Sequence, residues 1–353
     1  MIFMKSKKWN LFVIGCSLGL IIFIAGITIL IDPFLHYGDG LGSLQYPLKD
    51  ERYQNDGIAR HYEYNAIITG TSMCQNFLAS EFDTLWGAQT IKLTHSGASY
   101  HESCNTIERA LSYQEDVEYV LCSLDGSFMN TPWDYNTYEG YPTYLYDNNP
   151  FNDVKYLLNK EVVPKTIAVI NYTRVGNKTT SKDEYGFWGN YKTYGKESVL
   201  KSFVLQEKTE HIYMLTKEDK AQIEENITKN FLQLAQDNPD VTFYFFFPPY
   251  SICHWEGLQR SGQLGLHFEA QKMVTEILLS MDNVEIYDFS KRTDIIGNLD
   301  NYTDTLHYGP WVNSEILEMI HTKSGRLTKD NCEEYWQEVY ELYQDYDYSL
   351  YKD

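Results

Sequence analysis

The sequence predicts an α/β fold, a three-layer sandwich around a parallel five-stranded sheet, set behind one transmembrane helix. Three observations carry this expectation. Short apolar segments ending in small-residue turns alternate with helical stretches of about 10–20 residues, the pattern of a parallel sheet with helices on both faces. The 353 residues are 43% hydrophobic, enough for a substantial core. And the N-terminus carries an apolar run without a counterpart elsewhere in the chain.

That run extends from Leu11 to Ile31, without charge or proline, after Lys5, Lys7 and Lys8. At 1.5 Å per residue it covers roughly the 30 Å hydrocarbon core of a bilayer. Asp32-Pro33 ends it, because proline biases its predecessor away from helix. A buried core helix would lack such clean flanks. A cleaved signal peptide would have a shorter apolar region followed by an Ala-x-Ala-like site, and Asp-Pro-Phe-Leu-His follows instead. Val13-Ile14-Gly15-Cys16 loosely matches a lipidation signal, but most of the apolar run follows Cys16. An uncleaved anchor is expected. Lysines precede the span and no further Lys or Arg occurs until Lys49, so the N-terminus is expected in the cytoplasm and the rest outside it. Beyond the three lysines, 26 basic residues face 49 acidic ones, a formal charge of −23. So acidic a domain, with no basic groove, excludes nucleic acid as a partner. The cysteines beyond the span, Cys74, Cys104, Cys122, Cys253 and Cys332, show neither disulfide pairing nor metal-ligand spacing. No metal or cofactor is expected.

In chain order, residues 1–31 form the cytoplasmic stub and anchor, and 32–60 a connector with Gly38, Gly40 and Gly42. The main domain is expected over 61–330. Its strands are Asn65 to Thr69, Thr90 to Thr94, Val117 to Leu124, Val241 to Phe247 and Val284 to Asp288. Helices are expected over Glu102 to Tyr113, Lys217 to Gln236, Leu266 to Ser280 and from Pro310 to about Thr322. Short apolar strands in this alternation predict a flavodoxin-like three-layer α/β/α arrangement, with the site outside the carboxyl ends of the strands. An aromatic-rich insertion occupies about 130–201 and suits either packing or a lid offering flat faces to sugar rings. The acidic, Tyr-rich segment 331–353 is expected to form a packed helix and then a solvated terminus.

Two motifs carry chemistry. Gly70-Thr71-Ser72 follows the first strand and precedes a helix, which exposes a hydroxyl at the sheet edge beside helix N–H groups. The same residues also serve as ordinary helix caps. Asp304-Thr305-Leu306-His307 lies in a loop before the last helix. A serine nucleophile needs a base, and the imidazole needs an acceptor to fix its tautomer. Each motif is unspecific alone; together, across a five-strand pattern, they are informative.

The combination resembles the SGNH (GDSL-like) hydrolase superfamily over about residues 61–325. Gly70-Thr71-Ser72 is similar to its first block, Ser96-Gly97 to its second, and Asp304 with His307 to its last. Gly70-Thr71-Ser72-Met73 behind an anchor looks most like the membrane-anchored branch, which includes the teichoic acid D-alanylation protein and exopolysaccharide O-acetylation proteins. The resemblance implies Ser72 as nucleophile, His307 as general base and acid, Asp304 as orienter, and an oxyanion hole from the N–H groups of Ser72 and Gly97. It departs at the third block, where a side-chain Asn donor is usual and Leu124-Asp125-Gly126-Ser127 stands. An ionised Asp125 cannot donate, so Ser127 or Asn130 substitutes or the hole lacks a donor. Asp125, Ser127, Gln75, Asn76 and Tyr250 are candidate substrate contacts. The expected activity is hydrolysis or transfer of an acyl group, O-acetyl or D-alanyl, on a cell-envelope glycopolymer or acylated saccharide, within a membrane-bound biosynthetic complex. The alternative is a non-catalytic carbohydrate-binding or scaffolding protein.

Overall fold

The computed structural model describes residues 6–138, 140–349 and 351. Lys5 and the last two residues of the Tyr-rich segment lie outside them. From the N-terminus the elements run α1 (Ser6–Ile31), α2 (Glu51–His61), β1 (Ala66–Gly70), α3 (Ser72–Gln75), α4 (Ala79–Trp86), β2 (Thr90–Thr94) and α5 (Tyr100–Tyr113). Then follow β3 (Tyr119–Ser123), α6 (Val154–Leu157), α7 (Val162–Arg174), α8 (Lys196–Ser202), α9 (Lys217–Ile227), α10 (Gln233–Asp237) and β4 (Thr242–Phe247). The chain closes with α11 (Ile252–Arg260), α12 (Leu264–Leu278), β5 (Val284–Asp288), α13 (Thr293–Ile296), α14 (Pro310–His321), β6 (Arg326–Leu327) and α15 (Cys332–Gln344).

These elements form two compact units. The smaller gathers the described residues up to Tyr62 with Gly140–Ser181. In it α1 is the one helix, among the described residues, long and apolar enough to cross a membrane. It stops at Asp32, whose backbone turns left-handed at φ +48° before Pro33. The Asp32 carboxylate then accepts hydrogen bonds from the N–H groups of His36 and Tyr37 and from the Tyr156 hydroxyl, at 2.9, 2.7 and 2.6 Å. Phe34, Leu145, Tyr156 and Val162 make the unit's small core. The stretch expected as a connector holds α2, which rests so closely on residues 34 and 35 that a Cβ at Gly57 would meet the Leu35 carbonyl oxygen at 2.4 Å.

The larger unit holds a six-stranded sheet in the order β2-β1-β3-β4-β5-β6. The first five strands are parallel, and they lie where continuous apolar runs predict them. The sixth was not expected. It pairs antiparallel with β5 over two residues, too few to show any periodicity. All five residues of both β1 and β2 are buried. Successive strand side chains point to opposite faces, so helices must cover both. Helix α4 packs on α14, while α12 packs on α9 and α15, and residues 228–232 join α5 to α9 and α12. The Tyr-rich C-terminal segment also differs from expectation. Tyr348 and Tyr351 are buried beyond α15, and the Tyr348 hydroxyl donates to the Tyr343 carbonyl at 2.8 Å. A tyrosine buries a large ring provided its hydroxyl finds a partner, which composition alone does not reveal.

Parallel pairing sets the site. Gly70 lies opposite Thr94, and Thr69 lies opposite Cys122. The turns that follow β1, β2 and β3 therefore leave one edge of the sheet together, and these turns carry Ser72, Gly97 and Asp125.

Candidate active site

At the end of β1 the chain turns sharply. Gly70 has φ +116°, and a Cβ there would sit 2.5 Å from the Ser123 hydroxyl oxygen, so only glycine suits the position. Thr71 caps α3: its hydroxyl oxygen accepts the Met73 N–H at 3.2 Å and lies 3.3 Å from an Asp125 carboxylate oxygen. The expected helix after Ser72 is a single turn ending at Gln75. Ser72, half-buried, opens that turn.

The Ser72 hydroxyl oxygen lies 2.8 Å from Nε2 of His307, a residue 235 positions away. His307 Nδ1 lies 2.9 Å from Asp304 Oδ2 and 3.0 Å from Oδ1. An ionised carboxylate only accepts, so the imidazole proton belongs on Nδ1 and Nε2 is left to accept the Ser72 hydroxyl proton. Burial works to raise the Asp304 pKa. The His307 ring and the backbone N–H groups of His307 and Leu306 outweigh it and hold the carboxyl below its ordinary value. Both N–H groups bond Oδ1 at 2.9 Å.

The loop that carries this pair is fastened on two sides. Tyr302 and Tyr308 form a β-bridge across it, and the Thr303 N–H donates to the His307 carbonyl at 3.0 Å. From the turn after β4, the Ser251 hydroxyl donates to the Thr305 carbonyl at 2.7 Å. In return the Tyr302 hydroxyl donates to the Pro249 carbonyl at 2.7 Å.

Gly97 sits in the turn after β2 with φ +65°. The His95 N–H bonds the Gly70 carbonyl at 3.0 Å, which ties this turn to the one bearing Ser72. The Gly97 N–H donates to no backbone carbonyl among the described residues, so it is a candidate oxyanion donor beside that of Ser72.

The third turn differs from an oxyanion-donating block. Asp125 is half-buried and caps its own turn, accepting the Ser127 N–H at 3.1 Å. The Asn130 amide donates to Asp219 at 2.7 Å and its oxygen accepts from Gln222 at 2.9 Å, so Asn130 does not supply the missing donor. Ser127 is exposed at this edge.

Other candidate contacts are placed differently from expectation. Asn76 is buried, and its amide oxygen accepts the N–H groups of Trp188 and Gly189 at 3.1 and 2.9 Å. Gln75 is buried, and its backbone carbonyl accepts a hydrogen bond from the ammonium of buried Lys92 at 2.9 Å. Tyr250 is buried, with its hydroxyl oxygen accepting the Gly126 N–H at 3.2 Å. Burial pushes the Tyr250 hydroxyl pKa far up, with Asp125 adding to the rise, so the phenol stays protonated. Close packing buries these three side chains beneath the sheet edge.

Trp188 was not singled out. Its indole N–H donates to the Ser72 carbonyl at 3.2 Å, and its ring meets the His307 ring edge-on, centroids 5.5 Å apart. It thus touches both partners of the Ser72–His307 contact. Among the many aromatic residues of 130–201, no spacing distinguishes it.

Together these groups supply a hydroxyl, a correctly protonated imidazole, an orienting carboxylate and backbone donors, the requirements for attack on an acyl carbon. No protein-family model matches the chain, and no curated protein matches it. Among solved structures, a protein from Streptococcus pneumonia provisionally described as a platelet activating factor aligns with 77% of this chain and 89% of its own, at 12% identity and a TM-score of 0.37.

Proposed function

We propose that this chain is a membrane-tethered, extracytoplasmic serine esterase or acyltransferase acting on O-acetyl or D-alanyl esters of a cell-envelope glycopolymer. The observation that carries the chemistry is the contact of Ser72 with His307, aligned by Asp304. In this reading Ser72 Oγ attacks the acyl carbon as its proton passes to His307 Nε2. The oxyanion rests on the N–H groups of Ser72 and Gly97. Collapse expels the alcohol, which takes the proton from His307, and leaves an ester on Ser72. Water or a sugar hydroxyl, deprotonated by His307, then attacks the ester, and His307 returns the proton to Ser72 Oγ as the acyl–oxygen bond breaks. The order of the five parallel strands and the edge position of the site support a flavodoxin-like, SGNH-type assignment. The length of α1 and the lysines before it support a single span with a cytoplasmic N-terminus. Glycopolymer as substrate rests on that location and on the resemblance, and membrane-bound biosynthetic proteins are the proposed partners.

A fluorophosphonate probe and p-nitrophenyl acetate test the reading on the full chain. Wild type is expected to label and to hydrolyse, and Ser72→Ala to do neither. A folded wild type that does not react would favour the non-catalytic carbohydrate-binding or scaffolding alternative. One observation supports that alternative: Asp125 stands where a third oxyanion donor is usual, and losing one donor costs about 10²–10³ in rate.

A further inference from the structure

The smaller unit carries an apolar, basic surface next to the end of α1. Up to Phe23 the described side chains of α1 are exposed; Thr28 and Ile31 are buried where α6 and α7 pack. On its other side α1 stays apolar and open, with Ile29 47% and Leu30 61% exposed. Leu11 to Phe23 would cover only about 20 Å at 1.5 Å per residue, short of the roughly 30 Å hydrocarbon core. A bilayer crossed by α1 therefore has to extend to about Leu30. The turns on which α7 rests then lie at its outer boundary.

Helix α7 is apolar on two faces. Val162, Thr166 and Val169 are buried, while Ile167 and Ile170 are 53% and 43% exposed, and Pro164 and Ala168 are exposed as well. A surface helix of a water-soluble domain has one apolar stripe; apolar character all round marks a buried or membrane setting. Around α6, Phe151, Val154 and Leu158 are exposed, Phe151 by 91%, and Val175 follows α7. Charge runs against the rest of the chain. Residues 154–178 hold Lys155, Lys160, Lys165, Arg174 and Lys178 against Glu161 alone, in a protein of net charge −20. Asp50 engages Lys165 at 2.6 Å, and Lys160 lies 3.9 Å from Glu161. Lys155, Arg174 and Lys178 have no carboxylate partner among the described residues.

We propose that α6 and α7 form a platform in the membrane interface. Phe151, Val154, Leu158, Ile167, Ile170 and Val175 enter the headgroup–acyl boundary of the bilayer that α1 crosses, and the basic side chains meet anionic headgroups. The occupant is lipid because the surface is continuous with α1, whose own exposed apolar side chains at Ile29 and Leu30 need the same solvent. The inference rests on the tether reading, and the experiment separates the two. The full chain is reconstituted into vesicles of phosphatidylcholine with a minority of phosphatidylglycerol, and spin labels are placed at native Cys16, which is exposed on α1. Labels at Ile167→Cys and Ile170→Cys are placed singly in a Cys16→Ser background, with cooperative melting as the check on folding. Collisions with oxygen should exceed those with a water-soluble nickel complex at all three positions. Replacing phosphatidylglycerol with phosphatidylcholine should lower the oxygen-to-nickel ratio at 167 and 170, not at 16. An oxygen-rich signal at 16 with nickel-accessible labels at 167 and 170 would overturn the platform and keep the tether. Labels at 167 and 170 shielded from both reagents would also overturn it, in favour of a protein contact. A nickel-accessible label at 16 would remove the tether itself.

Discussion

Replacing Asp304 by asparagine tests the catalytic reading by changing one proton. In the wild type, Oδ1 of Asp304 accepts two backbone N–H groups, from Leu306 and His307, both at 2.9 Å. Those donors fix an asparagine's orientation: its carbonyl oxygen must take the Oδ1 position, and its NH₂ then falls where Oδ2 lay, 2.9 Å from His307 Nδ1. That amide donates best to an unprotonated Nδ1, against the competing 3.0 Å contact of Nδ1 with the carbonyl oxygen, and so draws the ring toward the tautomer that carries its proton on Nε2. The imidazole then faces the Ser72 hydroxyl, 2.8 Å away, with no lone pair to accept the proton. The same change in a serine protease costs about 10⁴ in kcat, close to 5.5 kcal/mol of barrier. A loss of that order is expected in the rate of fluorophosphonate labelling and in p-nitrophenyl acetate turnover, with the thermal midpoint little changed. Rates within a few-fold of wild type, from a folded Asp304→Asn variant, would show that the Asp304–His307 contact does not prepare a base.

Trp188→Phe removes one hydrogen bond to the Ser72 carbonyl while keeping a ring against His307; a loss of about 1 kcal/mol of alignment predicts a roughly 5-fold fall in kcat/KM. An unchanged value would make the indole N–H incidental. Gly70→Ala forces a methyl group to within 2.5 Å of the Ser123 hydroxyl at a φ that side chains rarely adopt. Urea unfolding should show destabilisation of about 1–3 kcal/mol or more, and no shift of the midpoint would contradict the described turn. Asp288 is buried, which raises its carboxyl pKa to about 6 against the pull of Tyr335 and Ser290. Its folded-state pKa exceeds the unfolded one, so its contribution is fully present below about pH 4 and is lost as pH rises through 6. Between pH 4 and pH 7 the loss amounts to about 2 kcal/mol. Asp288→Asn should abolish that decline, measured as the difference in unfolding free energy between wild type and variant at the two pH values.

The parts of the site that could be read in the sequence share one property: their meaning is local. Gly70 and Ser72 lie two residues apart at the end of an apolar run, and Asp304 and His307 lie three apart in one loop. Their proposed roles follow from residue type once the strand ends are known. Trp188 has no such local signature. It reaches Ser72 because the Asn76 amide, 112 residues earlier, holds its backbone. Asn76 and Tyr250 are polar residues close to motifs, a placement that does not say which way a side chain points; packing turned both inward. The smaller unit was hidden for a related reason. Gln45, Tyr46 and Leu48 donate N–H groups to the hydroxyls of Thr173, Thr179 and Thr180, across 128 to 133 residues. No period within either segment announces that pairing, so 32–60 read as a connector and 140–181 as part of an insertion.

Because Asp304 and His307 belong to one short turn clasped at both ends, carboxylate and imidazole travel as a single piece. A disturbance that shifts the turn would part the imidazole from the hydroxyl of Ser72 before it parted imidazole from carboxylate. Proton NMR offers a direct view of this: the Nδ1 proton should keep its low-field resonance in a preparation that has lost its reactivity through loop displacement. Inactivation by movement and inactivation by a broken imidazole–carboxylate hydrogen bond would then be told apart in the same sample.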